Sequence, residues 1–177
     1  MTVRVFGDSA LGATSGGVAI GNGAVLLAGG NVTSSRAFTL GAGGGVIDTD
    51  SNAVTLGSTS SVTGTALTKT GIGALTLAGT QTYATLNADA GVTNVNSALG
   101  TGASTLNANA TVNINVSQTL AALNIGAGAE VTFGDGLPFV GGAEKFGATA
   151  AVPEPGSAML LLSGLAAMLG LRRRRAA

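Results

Sequence analysis

The sequence has no cysteine, no histidine, one tyrosine and five phenylalanines, and only 9% of its 177 residues are charged. Without cysteine there are no disulfides and no thiolate metal sites, and cysteine usage does not constrain the redox compartment. Without histidine the commonest general base, the commonest zinc ligand and the Ser-His-Asp arrangement are all excluded. An ordinary globular enzyme carries nearer about a quarter charged residues. The first 151 residues hold Arg4, Arg36, Lys69 and Lys145 against Asp8, Asp48, Asp50, Asp89, Glu130, Asp135 and Glu144, a net charge of −3. A mildly acidic body offers no footprint for nucleic acid, so no nucleic-acid partner is expected. No cofactor is expected either.

Glycine is abundant, at 30 residues, with alanine, threonine, asparagine, valine and leucine around it. Disorder pairs low hydrophobicity with high net charge, whereas mean hydropathy here is +0.48. Short runs rich in Val, Thr, Leu and Ile recur between Gly, Asn and Asp. They cover residues 2–6, 18–20, 24–28, 36–40, 46–47, 53–56, 61–63, 66–69, 73–78, 83–87, 91–95, 104–107, 111–116, 120–125 and 130–133. That spacing reads as all-β. A sandwich would need larger side chains to fill about 10 Å between its sheets. A solenoid stacks like on like, so small aliphatics suffice and Asn and Thr form ladders. Leu106-Asn107-Ala108-Asn109-Ala110 echoes Leu86-Asn87-Ala88-Asp89-Ala90 at a spacing of 20 residues, and Ala127–Thr132 echoes Ala88–Thr93. A coil of about 20 residues suits a β-helix.

Leu67-Thr68-Lys69-Thr70-Gly71-Ile72-Gly73-Ala74-Leu75-Thr76-Leu77-Ala78-Gly79-Thr80-Gln81-Thr82-Tyr83 resembles the autotransporter-associated (passenger-associated) β-strand repeat. The pattern departs after Tyr83, where Ala84 replaces a frequent glycine. The resemblance implies a right-handed parallel β-helix on the cell exterior. Six or seven coils at roughly 4.8 Å each would make a rod about 30 Å long. The solenoid is expected over residues 1–136, and a Gly/Pro linker with Pro138, Gly141, Gly142 and Gly147 over 137–151.

Residues 152–177 have three parts in order. Pro153, Glu154 and Pro155 form a stiff, polar stretch that blocks helix. Ala158, Met159, Leu160, Leu161, Leu162, Leu165, Met168, Leu169 and Leu171 populate an uncharged run of 14 residues. Arg172, Arg173, Arg174 and Arg175 close it. The run reads as a single short transmembrane helix with a basic stop on the cytoplasmic side. Counted from Gly156 it spans about 24 Å, short of the roughly 30 Å hydrocarbon core. Snorkelling arginines and local thinning would cover the gap. A buried core helix is the competing reading of so short a run, but four terminal arginines do not suit one.

The three parts together resemble the PEP-CTERM sorting signal of bacterial exported proteins. The resemblance implies export, recognition by an exosortase membrane enzyme, cleavage near Pro153–Pro155, and release or attachment at the cell exterior after transit through the inner membrane. An exported chain also needs a basic, then apolar, leader. Residues 1–17 have one arginine and no apolar core, so a start upstream of Met1, with further repeats, is expected.

Candidate chemistry is sparse. Asp48-Thr49-Asp50-Ser51-Asn52 opens like a calcium loop, but Ala53 and Thr59 stand where Gly and a bidentate Glu are needed. Gly43–Asp48 has Val46 in place of a glycine of the calcium nonapeptide. Residues 64–70 imitate a phosphate loop without its second glycine. Asn31, Asn109 and Asn115 head glycosylation-like triplets, which arise by chance in such a composition. If extended, Asp48 and Asp50 would lie on one strand face, roughly 7 Å apart, a separation found in glycosidases. No aromatics or arginines gather nearby, and no enzyme is expected. The reading is an exported structural or adhesin-like protein in contact with membrane, exosortase and extracellular polysaccharide. The alternative is a carbohydrate-binding or carbohydrate-active β-helix.

Overall fold

The computed structural model describes residues 1–100, 104–135, 137 and 139–141, all within one compact unit, Met1–Gly147. The expected sorting signal and membrane helix, residues 152–177, lie outside the described residues.

The chain winds through short strands. The first turn holds β1 (Thr2–Val5), a 3-10 helix (Asp8–Leu11) and β2 (Val18–Ile20). The second holds β3 (Ala24–Ala28), β4 (Val32–Ser34) and β5 (Ala37–Leu40). Then come β6 (Gly45–Asp48), β7 (Ala53–Leu56), β8 (Ser61–Thr70), β9 (Ala74–Leu77) and β10 (Thr80–Ala88). The last are β11 (Val92–Val95), β12 (Ser104–Ala108), β13 (Thr111–Ile114), β14 (Gln118–Ile125), β15 (Val131–Phe133) and β16 (Phe139–Gly141). The last of these falls in the stretch read from sequence as linker.

Strands pair in parallel with those one turn away, in a ten-stranded and a six-stranded sheet. The architecture is an all-β parallel β-solenoid. Its first face stacks β1, β3, β6 and the later halves of β8, β10 and β14, with β12 between the last two. Its second face stacks β4, β7, β9, β11, β13 and β15. A third face begins with β2, β5 and the start of β8, since Ser61–Thr63 pairs with β5 while Leu67–Thr70 pairs with β6. Strands β8 and β10 therefore turn a corner without breaking, where the sequence suggested two runs, 61–63 and 66–69, for β8 and only 83–87 for β10.

Alternation decides what faces in. On the first face Leu67, Leu86, Leu106 and Leu123 form one inward column, with Leu67, Leu86 and Leu106 fully buried. On the second face Leu56, Leu77, Val95 and Ile114 form another. Like-on-like stacking fills the core without large rings, although Phe38 and Tyr83 are also buried. Identical spacing is kept by register: Leu86 pairs with Leu106 and Asn87 with Asn107. The second echo is one residue out. Val131 stacks over Val112, and that over Thr93, not Val92. A one-residue slip exchanges the inner and outer faces, so the apolar Val131 takes the inward column.

The corners demand glycine where coils approach closely. Gly91 has φ +66°, and a Cβ there would lie 2.4 Å from the Gly73 carbonyl oxygen. Gly64, at φ +135° within β8, would meet the Leu40 carbonyl oxygen at 2.2 Å. Gly64 thus sits in a strand against the preceding coil, which removes the phosphate-loop reading.

Candidate functional site: outer ladders, inner cations and the C-terminal signal

The outward columns are polar ladders. On the first face Asn124 Nδ2 donates to Asn107 Oδ1 (2.7 Å), Asn107 Nδ2 to Asn87 Oδ1 (2.7 Å) and Asn87 Nδ2 to Thr68 Oγ1 (3.1 Å). On the second face Thr132 Oγ1 donates to Asn113 Oδ1 (2.7 Å), Asn113 Nδ2 to Asn94 Oδ1 (2.9 Å) and Asn94 Nδ2 to Thr76 Oγ1 (3.4 Å). Corner rungs join Asn109 to Asp89 and Asn115 to Asn96. Each ladder amide uses one donor along the axis and keeps another for solvent or a ligand. Replacing Asn107 with Ala breaks two rungs and should cost about 1–2 kcal/mol, measured by urea unfolding. The glycosylation-like Asn109 and Asn115 are rungs of these ladders.

Two cations are built into the interior. Arg36 is 2% exposed. Its Nε donates to Asp8 Oδ1 at 2.8 Å, and its terminal nitrogens donate to the carbonyl oxygens of Asp8 (3.1 Å), Gly12 (2.7 Å), Gly16 (3.0 Å) and Ala13. The five contacts match the five N–H groups of a guanidinium. They hold the first-turn loop, with its 3-10 helix, against the coil bearing β5. The guanidinium also holds the Asp8 carboxyl below the usual carboxylate range, with burial opposing.

Lys69 is fully buried, in an inward column between Ile47 and Ala88. Its Nζ donates to the carbonyl oxygens of Thr70 (3.0 Å), Gly71 (2.7 Å) and Ala90 (2.8 Å). The short side chain of Ala88 leaves room for the lysine stem, and the ammonium bridges the corners of two successive coils. Burial lowers its pKa to about 8, and Asp48 opposes that shift. Burial also raises the Tyr83 phenol, whose hydroxyl, like Gln81 Oε1 and Thr93 Oγ1, has no partner among the described residues.

The paired-carboxylate geometry does not form. Asp48 ends β6, and its Oδ1 accepts from the Asp50 N–H at 2.8 Å. Asp50 sits at φ 49° in the corner and pairs loosely with Arg4 at 3.9 Å, both half-exposed. The segment is a tight turn and not an extended strand, so the two carboxylates do not share a strand face. Among the described residues no cluster of three or more His, Cys, Asp or Glu is placed to hold a metal. None of their helices is long and apolar enough to cross a membrane.

What remains is the C-terminal stretch. Residues 151–175 match the PEP-CTERM protein-sorting motif. The match covers Pro153, Glu154 and Pro155, the apolar run and Arg172–Arg175 together. No curated protein and no solved structure matches the chain. The motif implies export, processing by an exosortase in association with a membrane, and a destination at the cell surface.

Proposed function

We propose that this chain is a structural module of the cell exterior, a β-solenoid delivered and held there by its C-terminal signal. The observation that carries the reading is the sorting motif at residues 151–175 on a body whose buried cations and asparagine ladders bond within its own stacking. Arg36, Lys69 and the asparagine ladders all bond within the chain, and their chemistry builds a scaffold. No catalytic step is assigned. In this reading residues 158–171 cross the inner membrane as a short helix, Arg172–Arg175 stay cytoplasmic, and the exosortase cuts near Pro153–Pro155. The likeness of residues 67–83 to the autotransporter-associated repeat supports an exterior role; those residues run from the later half of β8 through β9 into the first half of β10, most of one turn.

The test is made in a host that carries an exosortase. Glu154→Ala and deletion of residues 172–175 should each leave an unprocessed, larger form in the membrane fraction. Unchanged size and location for both would refute the sorting role. A second reading, contact with a neutral polysaccharide, is favoured by the outward ladders, whose rungs offer amide and hydroxyl groups at about one per 4.8 Å. Binding on a glycan array, lost on replacing Asn87 and Asn107, would support it. Absence of turnover in a reducing-sugar assay separates binder from enzyme.

A further inference from the structure

The second face carries two outward columns that the sorting role does not use. One is Thr33, Thr55, Thr76, Asn94, Asn113 and Thr132, each stacked on the next in parallel register. Beside it, two residues earlier in each strand, stand Ala53, Ala74, Val92 and Thr111. None of these residues carries a charge or an aromatic ring. Over residues 51–129 the only charges are Lys69, which is buried, and Asp89 at a corner. Strands β7, β9, β11 and β13 pair over all four residues without a shift, whereas the first face shifts register between Ser104 and Thr105. Side-chain ladders of this kind hold a stack of strands flat. The second face is therefore a lattice, with rungs about 4.8 Å apart along the axis and columns roughly 7 Å apart across it.

We propose that this face adsorbs to crystalline water, so that the chain binds ice. An array that repeats in two directions is complementary to a partner that does the same. The two repeats of the face lie close to those of a prism face of hexagonal ice. The polar groups are also fixed in advance. Thr132 bonds to Asn113, Asn113 to Asn94 and Asn94 to Thr76, so each rung has a set orientation and keeps a donor or an acceptor turned outward. Water bound at one rung is thereby set at the spacing of the next, and no side chain has to be ordered on contact. The methyl groups of Ala53, Ala74 and Val92 offer water no hydrogen bond, so molecules over that column bond to one another. Other occupants lack their handles here. A protein partner is held by buried Trp, Tyr and Arg anchors, nucleic acid by cations on its phosphates, and a membrane surface by basic and large apolar side chains. The two columns contain none of these, and no ring on which a sugar could stack. This goes beyond the sorting role, does not depend on it, and concerns a different face from Asn87 and Asn107.

The test is ice recrystallisation, followed by microscopy, with the full chain in micelles of a non-ionic detergent and the detergent alone as control. At micromolar protein the parent should hold crystal size constant where the detergent alone lets crystals coarsen. Thr76→Lys and Val92→Lys raise long charged side chains from outward positions in the middle of the array. Both should keep the circular dichroism spectrum of the parent and need at least ten-fold more protein for the same effect. Thr85→Lys, outward on the first face, should match the parent. A parent that behaves as the detergent alone overturns the inference. So does an effect that both second-face variants leave unchanged, or that Thr85→Lys abolishes equally, since either places it off this face. Binding to a neutral polysaccharide with no effect on ice overturns it too, and assigns the ladders to sugar.

Discussion

Replacing Arg36 with Ala should destabilise the solenoid by about 3–5 kcal/mol. The loss is large because one side chain serves five acceptors. Its removal leaves the Asp8 carboxylate and the carbonyl oxygens of Asp8, Gly12, Ala13 and Gly16 without their donor. An uncompensated charge and several desolvated carbonyls then stay in a part-buried loop. Urea unfolding by circular dichroism checks the size, and hydrogen exchange checks the place. Protection should fall first in the amides of residues 8–17 and then in β4 and β5. Arg36→Lys should recover less than half of the loss, because an ammonium has three donors and cannot span the fork. The pH dependence follows from Asp8, whose folded-state pKa is depressed by Arg36. Its contribution is fully present above the unfolded carboxylate value near about 3.9. It fades as pH falls through the lower folded value, because the unfolded chain takes up the proton first. The parent should therefore lose stability at acid pH by an increment that Arg36→Ala has already lost. An Arg36→Ala protein as stable as the parent would show that the loop is held by something else.

The missed cations show how much of this fold is written in period two. Arg36, just before β5, and Phe38 and Leu40 within it occupy alternate positions, and all three are buried. Leu67 and Lys69 alternate in the same way, and both are buried. The alternation was present in the sequence and placed both cations inside. Their charge argued for the surface, and local pattern gives no sight of the carbonyls that receive them. Apart from Thr70 and Gly71, which follow Lys69 directly, those acceptors come from other turns: Gly12 and Gly16 lie 24 and 20 residues from Arg36, and Ala90 lies 21 from Lys69. Only the winding of the coil brings them close. The asparagine ladders were legible because they need only the repeat length, and Asn87 and Asn107 differ by one such length. β4 was not expected, since three residues with a buried Ser34 carry little apolar signal. β16 was not expected either, because Pro138 and three glycines follow the pattern of a linker. The 48–50 spacing was read only on the condition of an extended segment. Separation along a strand says nothing once Asp50 turns to positive φ. The C-terminal signal was legible because it is a local order of stiff, apolar and cationic parts, which needs no tertiary contact to recognise.

Raising the pH from 8 to about 10.5 should stabilise the parent protein through Lys69, where most proteins lose stability. The sign follows from protons bound. Lys69 titrates at about 8 in the folded chain and near 10.5 when unfolded. Between those values the unfolded state holds more protons, and unfolding free energy rises with pH. The gain is bounded by about 3 kcal/mol, and it is smaller in practice because the three carbonyl bonds favour the charged ammonium. Lys69→Met, close in length and apolar, removes this dependence. Its stability relative to the parent should be worst at high pH and improve toward pH 7. At pH 7 the charge no longer pays for burial in the variant, but the carbonyl oxygens of Thr70, Gly71 and Ala90 lose their donor, at about 1–3 kcal/mol. Measuring urea midpoints for both proteins at pH 7, 8, 9 and 10 separates the two effects. A difference that does not vary with pH would mean that the ammonium reaches water and titrates as in the unfolded chain. A difference that varies as stated would make Lys69 an interior charge retained for the two corners it joins.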